Sequence, residues 1–386
     1  MRPTLDLVVV GGGPAGLAAA IAGRLAGLSV RVVEMRDGEL DKACGEGLLP
    51  HGRAALAALG VRGVDGVRLA GVRYALADDP ACSAEGRFPA GGALGVRRTT
   101  LVHALRGRAE DLGVRFVHDR IVRVADDGER VVASGREAHR ARFVVAADGL
   151  RSTLRCALGL DASPPGGRFG VRRHFRVRPW SEHVEVTFAP GVEAYVTPVG
   201  HDMVGVAFLV GRPQPFEALL ARFPRLRARL AQSPAASRMR GAGPFGRRAR
   251  RVAEGRVLLV GDAAGYVDPL TGEGVATGLA TARAAVGCIV RGEPEAYAGV
   301  HREIVRRADA LTEALLAVTR YPSLHRPLVL AARAMPRAFD RALAVLSGVD
   351  QDPDAPAPER PFWPEGGFLE ATCQALAARA ARAARA

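Results

Sequence analysis

The chain has 386 residues, nearly half of them apolar, which is enough for a large core spread over two or more domains. Its formal net charge is +14, but the positive charge is scattered arginine, with Lys42 the only lysine, and no run of aromatic residues alternates with it. This distribution argues against nucleic-acid binding. The five cysteines are widely spaced without metal-ligand spacing, so we expect no metal site and a reducing, cytoplasmic location. No apolar run reaches the roughly 18 residues of a transmembrane helix.

The N-terminal segment has the pattern of a strand, a glycine-rich turn and a helix, followed by a second strand that ends in Glu34. In the turn, Gly11 permits the tight bend, Gly13 lets the backbone approach a pyrophosphate, and Gly16 lets helix and strand pack closely. The helix N-terminus offers N–H groups to the phosphates, and Glu34 is placed to accept hydrogen bonds from a ribose. The spacing predicts a dinucleotide site, without separating NAD from FAD.

Two acidic motifs follow buried strands, at the edge where open α/β sheets place ligands. Asp148-Gly149 comes after one strand, and Asp262 comes after another within GDAAGYVDPLTGEG, residues 261–274. Asp262 is placed to hydrogen-bond a polyol, while the backbone of Gly272 to Val275 is placed to meet an anion or carbonyl oxygens at a helix start. We interpret Asp268 as a turn residue. These motifs predict a site for a polyol beside a polar ring edge, in addition to the adenosine site at Glu34. Such a combination matches the ribityl chain and the ring of FAD.

These motifs resemble the FAD-dependent oxidoreductases of the para-hydroxybenzoate hydroxylase type, a group that includes aromatic-ring monooxygenases and geranylgeranyl reductases. The resemblance covers residues 1 to about 290 and implies one non-covalent FAD, with NAD(P)H as a transient reductant near the Asp148 motif. It also implies that Ile121 lies near the adenine. The predicted cofactor-binding residues are Gly11, Gly13, Ala15, Gly16, Glu34, Gly45, Gly47, Arg98, Ile121, Asp148, Gly149, Gly261, Asp262, Pro269, Gly272, Gly274 and Val275.

The sequence motifs specify the reaction less clearly than they specify the cofactor. The segments KACGEG and DPLTGEG look most like the geranylgeranyl reductase branch, where a Cys-Gly pair sits near the flavin ring, and this makes Cys44 a candidate pocket residue and proton donor. Similar segments occur in bacterial flavoproteins of phenolic-lipid and polyketide pathways that are thought to hydroxylate.

Three functions therefore stay open. We favour an NAD(P)H-dependent monooxygenase that hydroxylates a phenolic, polyketide or lipid-like substrate through a flavin C4a-hydroperoxide. The alternative is reduction of isolated double bonds in a prenyl or lipid substrate. The third is a non-catalytic flavin-binding redox partner. We expect an apolar or phenolic small-molecule substrate, and we make no prediction of oligomeric state.

The predicted fold class is α/β (α+β), with a Rossmann-like FAD-binding domain, an antiparallel-sheet substrate domain and a C-terminal helical region. The FAD-binding domain is assigned to residues 1–165 and 251–292, with part of 65–97 belonging to the substrate domain. Alternating and β-branched residues place the substrate-domain sheet in 166–250.

By resemblance such a sheet floors the substrate pocket over the flavin, so Tyr195 is a second pocket candidate, with a core tyrosine as the alternative. Residues 293–350 are assigned to C-terminal helices, and 351–386 to a linker and a terminal helix. For that arginine-rich terminal helix we expect a solvated surface, with contact to a membrane that holds a lipid substrate as the alternative.

Overall fold

The computed structural model describes residues 5–89, 91–164 and 166–348. Its strands are, in chain order, Leu5–Val10 (β1), Val30–Glu34 (β2), Gly47–Leu48 (β3), Val67–Leu69 (β4), Gly71–Leu76 (β5), Ser83–Arg87 (β6), Ala93–Gly95 (β7), Arg115–His118 (β8), Arg123–Asp126 (β9), Val131–Ser134 (β10), Ala138–Ala146 (β11), Phe169–Arg176 (β12), His183–Ala189 (β13), Val192–Gly200 (β14), Met203–Val210 (β15), Arg240–Ala242 (β16), Arg247–Arg248 (β17), Ala253–Glu254 (β18), Val257–Leu259 (β19) and Gly265–Tyr266 (β20).

The α-helices are Pro14–Leu25 (α1), Pro50–Ala58 (α2), Arg98–Asp111 (α3), Thr153–Ala157 (α4), Phe216–Leu220 (α5), Pro224–Leu230 (α6), Gly274–Arg291 (α7), Tyr297–Thr319 (α8), His325–Ala334 (α9) and Pro336–Leu346 (α10). Short 3₁₀ helices cover Gly261–Ala263, Pro269–Thr271, Pro294–Ala296 and Pro322–Leu324. Among the described helices, none combines the length and the hydropathy that a bilayer span requires.

The first sheet has the strand order β18-β19-β11-β1-β2-β8, with β9 and β10 attached as an antiparallel hairpin beside β11. Strands β19, β11, β1, β2 and β8 run parallel, so their carboxyl ends meet at one edge. Helices α1, α3 and α7 pack together over this sheet. Residues such as Leu7, Val8 and Val9 are fully buried because both faces of the sheet are covered. The α/β fold class predicted from the sequence is confirmed.

The second sheet has the order β16-β12-β15-β14-β13-β5-β6. The described strand pairs within residues 166–250 are antiparallel, as the sequence predicted. Strand β5, from outside that range, pairs antiparallel with β6 but parallel with β13. The two parallel strands are far apart in the chain, and a parallel neighbour requires such a long connection. Strands β5 and β6 thus join the sheet from the 65–97 region.

The C-terminal helices α9 and α10 pack against β5 and β6. Their buried side chains, Val329, Phe339 and Leu343, form one apolar cluster with residues of the second sheet. Residues 216–230 form two short helices, α5 and α6, because Pro224 lacks an N–H group and begins a new one. The predicted linker and the terminal helix, in residues 351–386, lie outside the described residues.

Candidate active site

A cavity of about 660 Å³ opens where the carboxyl ends of the parallel strands face the second sheet. Every predicted cofactor-binding residue lines it except Gly16. A Cβ at Gly16 would lie 1.8 Å from the carbonyl oxygen of Gly11, so this glycine packs the turn against helix α1. At Gly13 a Cβ would meet only an Arg98 nitrogen, 3.8 Å away, so its backbone is open to the cavity. Gly16 is therefore packed inside the turn, whereas Gly13 faces the cavity.

The turn before α1 forms an anion position. Helix α1 begins at Pro14, and no described side chain caps its first turn, so N–H groups there face the cavity. The Arg98 guanidinium lies beside Gly13, and its buried Nε has no hydrogen-bond partner among the described residues. An orphaned guanidinium donor next to a helix N-terminus fits a phosphate group.

The far end of the cavity is shaped by carboxylates on β2 and the turn after β8. Glu34 accepts N–H bonds from Gly12 at 2.6 Å and from Arg36 at 2.9 Å, which orients its carboxylate beside the turn. Ile121 lines the cavity next to Asp119, a buried residue that sequence reasoning missed.

Asp119 holds the loop that presents Ile121. Burial acts to raise the pKa of Asp119, but backbone N–H groups of Arg136, Glu137 and Arg120 outweigh it and hold the pKa well below its usual range. Arg136 and Glu137 lie in the connection between β10 and β11, distant from Asp119 in sequence. No local sequence pattern therefore identifies Asp119.

Both acidic motifs line the cavity. Asp148 accepts hydrogen bonds from Ser152 Oγ at 2.6 Å and Leu154 N at 3.1 Å, while burial raises its pKa. Lys42 Nζ donates to Asp262 Oδ2 at 2.7 Å. Burial acts to raise the pKa of Asp262, but the ammonium of Lys42 holds it below its usual range. A polyol hydroxyl at Asp262 would therefore share that carboxylate with Lys42.

A buried arginine ties these motifs together. Arg155 is 2% exposed and donates to the carbonyl oxygens of Leu150 and Ala263, both at 3.0 Å, and to Asp161 at 2.8 Å. One side chain thus links the loop after β11 with the loop after β19.

The loop that carries Cys44 is pinned by Glu46, which sequence reasoning also missed. Glu46 has φ +61° and a side chain that is 1% exposed. Its carboxylate accepts hydrogen bonds from His174 Nε2 and from the N–H of Arg98 at 3.0 Å, and Arg172 lies 3.6 Å away. Cys44 Sγ accepts the N–H of Glu46 at 3.4 Å, and Cys44 lines the cavity.

The other half of the cavity is apolar and is built by the second sheet, by β4, which pairs with β7 in a separate small sheet, and by α10. Its wall includes Leu69, Val72, Phe88, Val186, Leu209 and Leu343. Tyr195 lines this half, is 8% exposed, and donates its phenol proton to Glu193 Oε2 at 2.8 Å. Burial and the charge of Glu193 raise the pKa of Tyr195 well above its usual value, so the phenol stays neutral. Tyr195 thus lines the cavity while most of its surface is buried.

Residues 4–289 match the family described as FAD binding domain. The chain belongs to this family. It is 32% identical to the menaquinone reductase of Mycolicibacterium smegmatis, over 76% of this chain and 78% of that protein. It is 30% identical to digeranylgeranylglycerophospholipid reductase 1 of Methanopyrus kandleri, over 72% of this chain and 79% of that protein.

A solved structure of p-nitrophenol 4-monooxygenase from Pseudomonas putida superposes with a TM-score of 0.77 at 18% identity, covering 91% of this chain and 99% of that chain, which shows the fold alone. The family match and the two reductases identify the protein as an FAD-dependent oxidoreductase of the superfamily that its sequence motifs resemble, which includes the geranylgeranyl reductases.

The cavity of this flavoprotein fits FAD on its own chemistry. The anion position at α1 and Arg98 would hold the pyrophosphate, Glu34 would hold the adenosine ribose, and Asp262 would hold the ribityl chain. When bound, FAD supplies the electron-transfer chemistry, and the protein supplies position, electrostatics and a dry pocket.

Replacing Arg98 tests the anion position. Arg98→Met should weaken FAD binding by about 10- to 100-fold, because charge-assisted hydrogen bonds contribute about 1.5–3 kcal/mol each. Titration of the apoprotein with FAD, followed by quenching of flavin fluorescence, measures the change. Arg106→Met is the matched control, since Arg106 lies on the same helix and makes a half-exposed pair with Glu110. Equal affinity in wild type and Arg98→Met would contradict this assignment.

Proposed function

We propose that this flavoprotein is a reductase that saturates an isolated double bond in a polyisoprenoid or similarly long apolar substrate. The observation that carries this proposal is the continuity of one cavity. Its first half is built from the cofactor motifs, and its second half is walled by aliphatic and aromatic side chains of the second sheet and α10. A substrate chain in the apolar half would lie directly beside the cofactor.

The two reductase relatives support the same substrate class. Their names specify menaquinone and a digeranylgeranylglycerophospholipid as substrates. These two lipids differ in their polar parts, but both carry polyisoprenoid chains. The nitrophenol monooxygenase is only 18% identical to this chain, so its similarity supports the fold and no conclusion about the reaction.

The apolar wall suits such a chain physically. Burying a methylene group contributes about 0.8 kcal/mol, so several isoprene units would bind tightly without polar contacts. The same wall excludes water from the reacting carbon atoms. In this proposal NAD(P)H reduces the bound FAD before the substrate is saturated.

Product analysis tests the proposal. The purified flavoprotein is incubated with NADH or NADPH and a geranylgeranyl lipid, with oxygen and without it, and the lipid is examined by mass spectrometry. A reductase gives a product heavier by two hydrogen atoms in both atmospheres. A product heavier by one oxygen atom, formed only with oxygen, would instead establish the hydroxylation that the sequence favoured, which stays a prediction. An unchanged lipid under all conditions contradicts the proposal and points to the non-catalytic redox partner.

A further inference from the structure

The outer surface of α9 and of its flanking turns carries a group of exposed apolar side chains. Of the seven large apolar side chains that the described residues expose, four lie within residues 321–335. They are Tyr321 at 56%, Leu324 at 39%, Leu330 at 40% and Met335 at 55%. Single exposed apolar residues are ordinary on a folded surface, but a group of them marks an interaction site.

Helix α9 is apolar on both of its faces. The inner face buries Val329, which belongs to the apolar cluster of the second sheet and α10. A surface helix usually carries polar residues on the face opposite its buried stripe. The outer face of α9 instead exposes apolar residues at helical spacings of three and four, namely Pro327, Leu330, Ala331 and Ala334. This outer stripe has no covering element among the described residues.

Arginines accompany the apolar stripe. Residues 320–341 contain five arginines and one acid, Asp340, which accepts the N–H of Arg87 at 2.7 Å. Arg326 pairs with Asp79 at 3.0 Å. The other four arginines are exposed and pair with no acid among the described residues; they are Arg320, Arg333, Arg337 and Arg341. This surface therefore carries uncompensated positive charge.

We call these exposed groups the arginine-rimmed patch. Its members are Tyr321, Leu324, Leu330, Met335, Arg320, Arg333, Arg337 and Arg341. An anionic bilayer surface matches both parts of the patch, because its headgroups attract arginines while tyrosine and aliphatic side chains enter the boundary with the acyl chains. A purely ionic partner would pair with the arginines and leave the leucines in water.

The patch lies on the helices that build the apolar half of the cavity. Helices α9 and α10 pack against β5 and β6. Val72 of β5, with Leu343 and Leu346 of α10, lines the cavity, and Val329 of α9 joins the same apolar cluster as Leu343. These helices thus separate the apolar half of the cavity from the arginine-rimmed patch by one layer of structure.

We propose that the arginine-rimmed patch seats this flavoprotein on the surface of an anionic lipid bilayer, with α9 lying in the interface. The use of this contact rests on the proposed function, since a polyisoprenoid lipid in the bilayer would then lie close to the apolar half of the cavity. The contact itself depends only on the patch. It is a different surface from residues 351–386, for which the sequence offered membrane contact as the alternative.

Vesicle flotation of the FAD-loaded protein tests the contact. The protein should float with phosphatidylcholine vesicles that contain about a third phosphatidylglycerol and stay behind with phosphatidylcholine alone, and salt should weaken the binding. Replacing both Arg333 and Arg337 by Gln should lower the partition coefficient about 30-fold, at about fivefold for each arginine. Leu330→Ser should lower it about fivefold, because less apolar surface leaves water.

Matched controls lie on other surfaces. Replacing both Arg225 and Arg227 by Gln removes the same charge from exposed positions on α6. Met239→Ser removes an apolar side chain that is 52% exposed. Both controls should keep the partition coefficient within about twofold of wild type. All the substituted side chains are exposed, so the midpoints of thermal unfolding should match that of wild type.

Two outcomes would overturn the patch as the membrane contact. One is an equal partition coefficient in wild type and the patch variants, with binding lost instead when Arg379, Arg382 and Arg385 are replaced by Gln, which would place the contact in the terminal segment. The other is a wild type that binds no vesicles but sediments as a dimer, with Leu330→Ser sedimenting as a monomer, which would assign the patch to a second copy of this chain.

The flotation test needs no turnover, so the two proposals fail separately. A wild type that binds anionic vesicles through the patch but saturates no alkenyl lipid would end the proposed function and leave the docking surface standing. A wild type that saturates a detergent-dispersed lipid but floats with no vesicle would do the reverse.

Discussion

Gly16→Ala should give a protein that loses FAD during gel filtration, whereas Gly107→Ala should give one that keeps it. Both glycines lie inside α-helices, but their surroundings differ. A methyl group at Gly16 would sit 1.8 Å from the carbonyl oxygen of Gly11, a backbone atom that cannot move without opening the turn. At Gly107 nothing lies within 4 Å.

The two substitutions should therefore change stability in opposite directions. Gly16→Ala should lower the free energy of unfolding by about 3 kcal/mol or more, since overpacked sites with rigid neighbours are costly. Gly107→Ala should raise it by about 0.5–1 kcal/mol, because alanine has the higher helix propensity. Chemical denaturation and the ratio of flavin to protein absorbance measure both effects. An unchanged flavin ratio in Gly16→Ala would contradict the packing role of this glycine.

Glu46→Leu should have the second largest effect on stability and FAD retention, because Glu46 holds the loop that carries Cys44 in place. Removing this carboxylate leaves His174 and Arg172 buried beside an apolar side chain, and it removes the acceptor for the N–H of Arg98. Breaking a buried pair by removing one partner costs about 3–5 kcal/mol. We expect a lower midpoint of thermal unfolding and reduced FAD retention.

Glu110→Gln is the control for this prediction. Glu110 also pairs with an arginine, but both side chains are about half exposed, at 47% for Arg106 and 52% for Glu110. Exposed helix pairs contribute about 0.3–0.5 kcal/mol, so this change should be small. Similar unfolding midpoints for the Glu46 and Glu110 variants would show that the buried network does not hold the loop.

The cofactor half could be predicted because its signals are local. Gly11, Gly13 and Gly16 occupy one turn, and Glu34 ends the next strand, so sequence spacing alone determines their arrangement in space. Asp148 and Asp262 each follow a buried strand, and parallel pairing brings strand ends to one edge.

The residues that sequence reasoning missed act through distant partners. Glu46 contacts His174, and Asp119 accepts N–H groups from the hairpin beyond β10. Asp268 did form the expected turn, accepting the N–H of Leu270, but its approach to Arg168 depends on how two sheets pack. The parallel pairing of β13 with β5 was missed for the same reason, since nothing in the sequence of either strand indicates which strand it pairs with.

The most direct test of the proposed reductase is anaerobic stopped-flow absorbance. The flavoprotein is reduced in the absence of oxygen and mixed with a geranylgeranyl lipid, which carries no quinone to accept electrons. Flavin absorbance should return at a rate that depends on lipid concentration, while a saturated chain of equal length should have no effect. Flavin that stays reduced with the lipid, and reoxidises only when oxygen is added, would contradict double-bond reduction as the function of this protein.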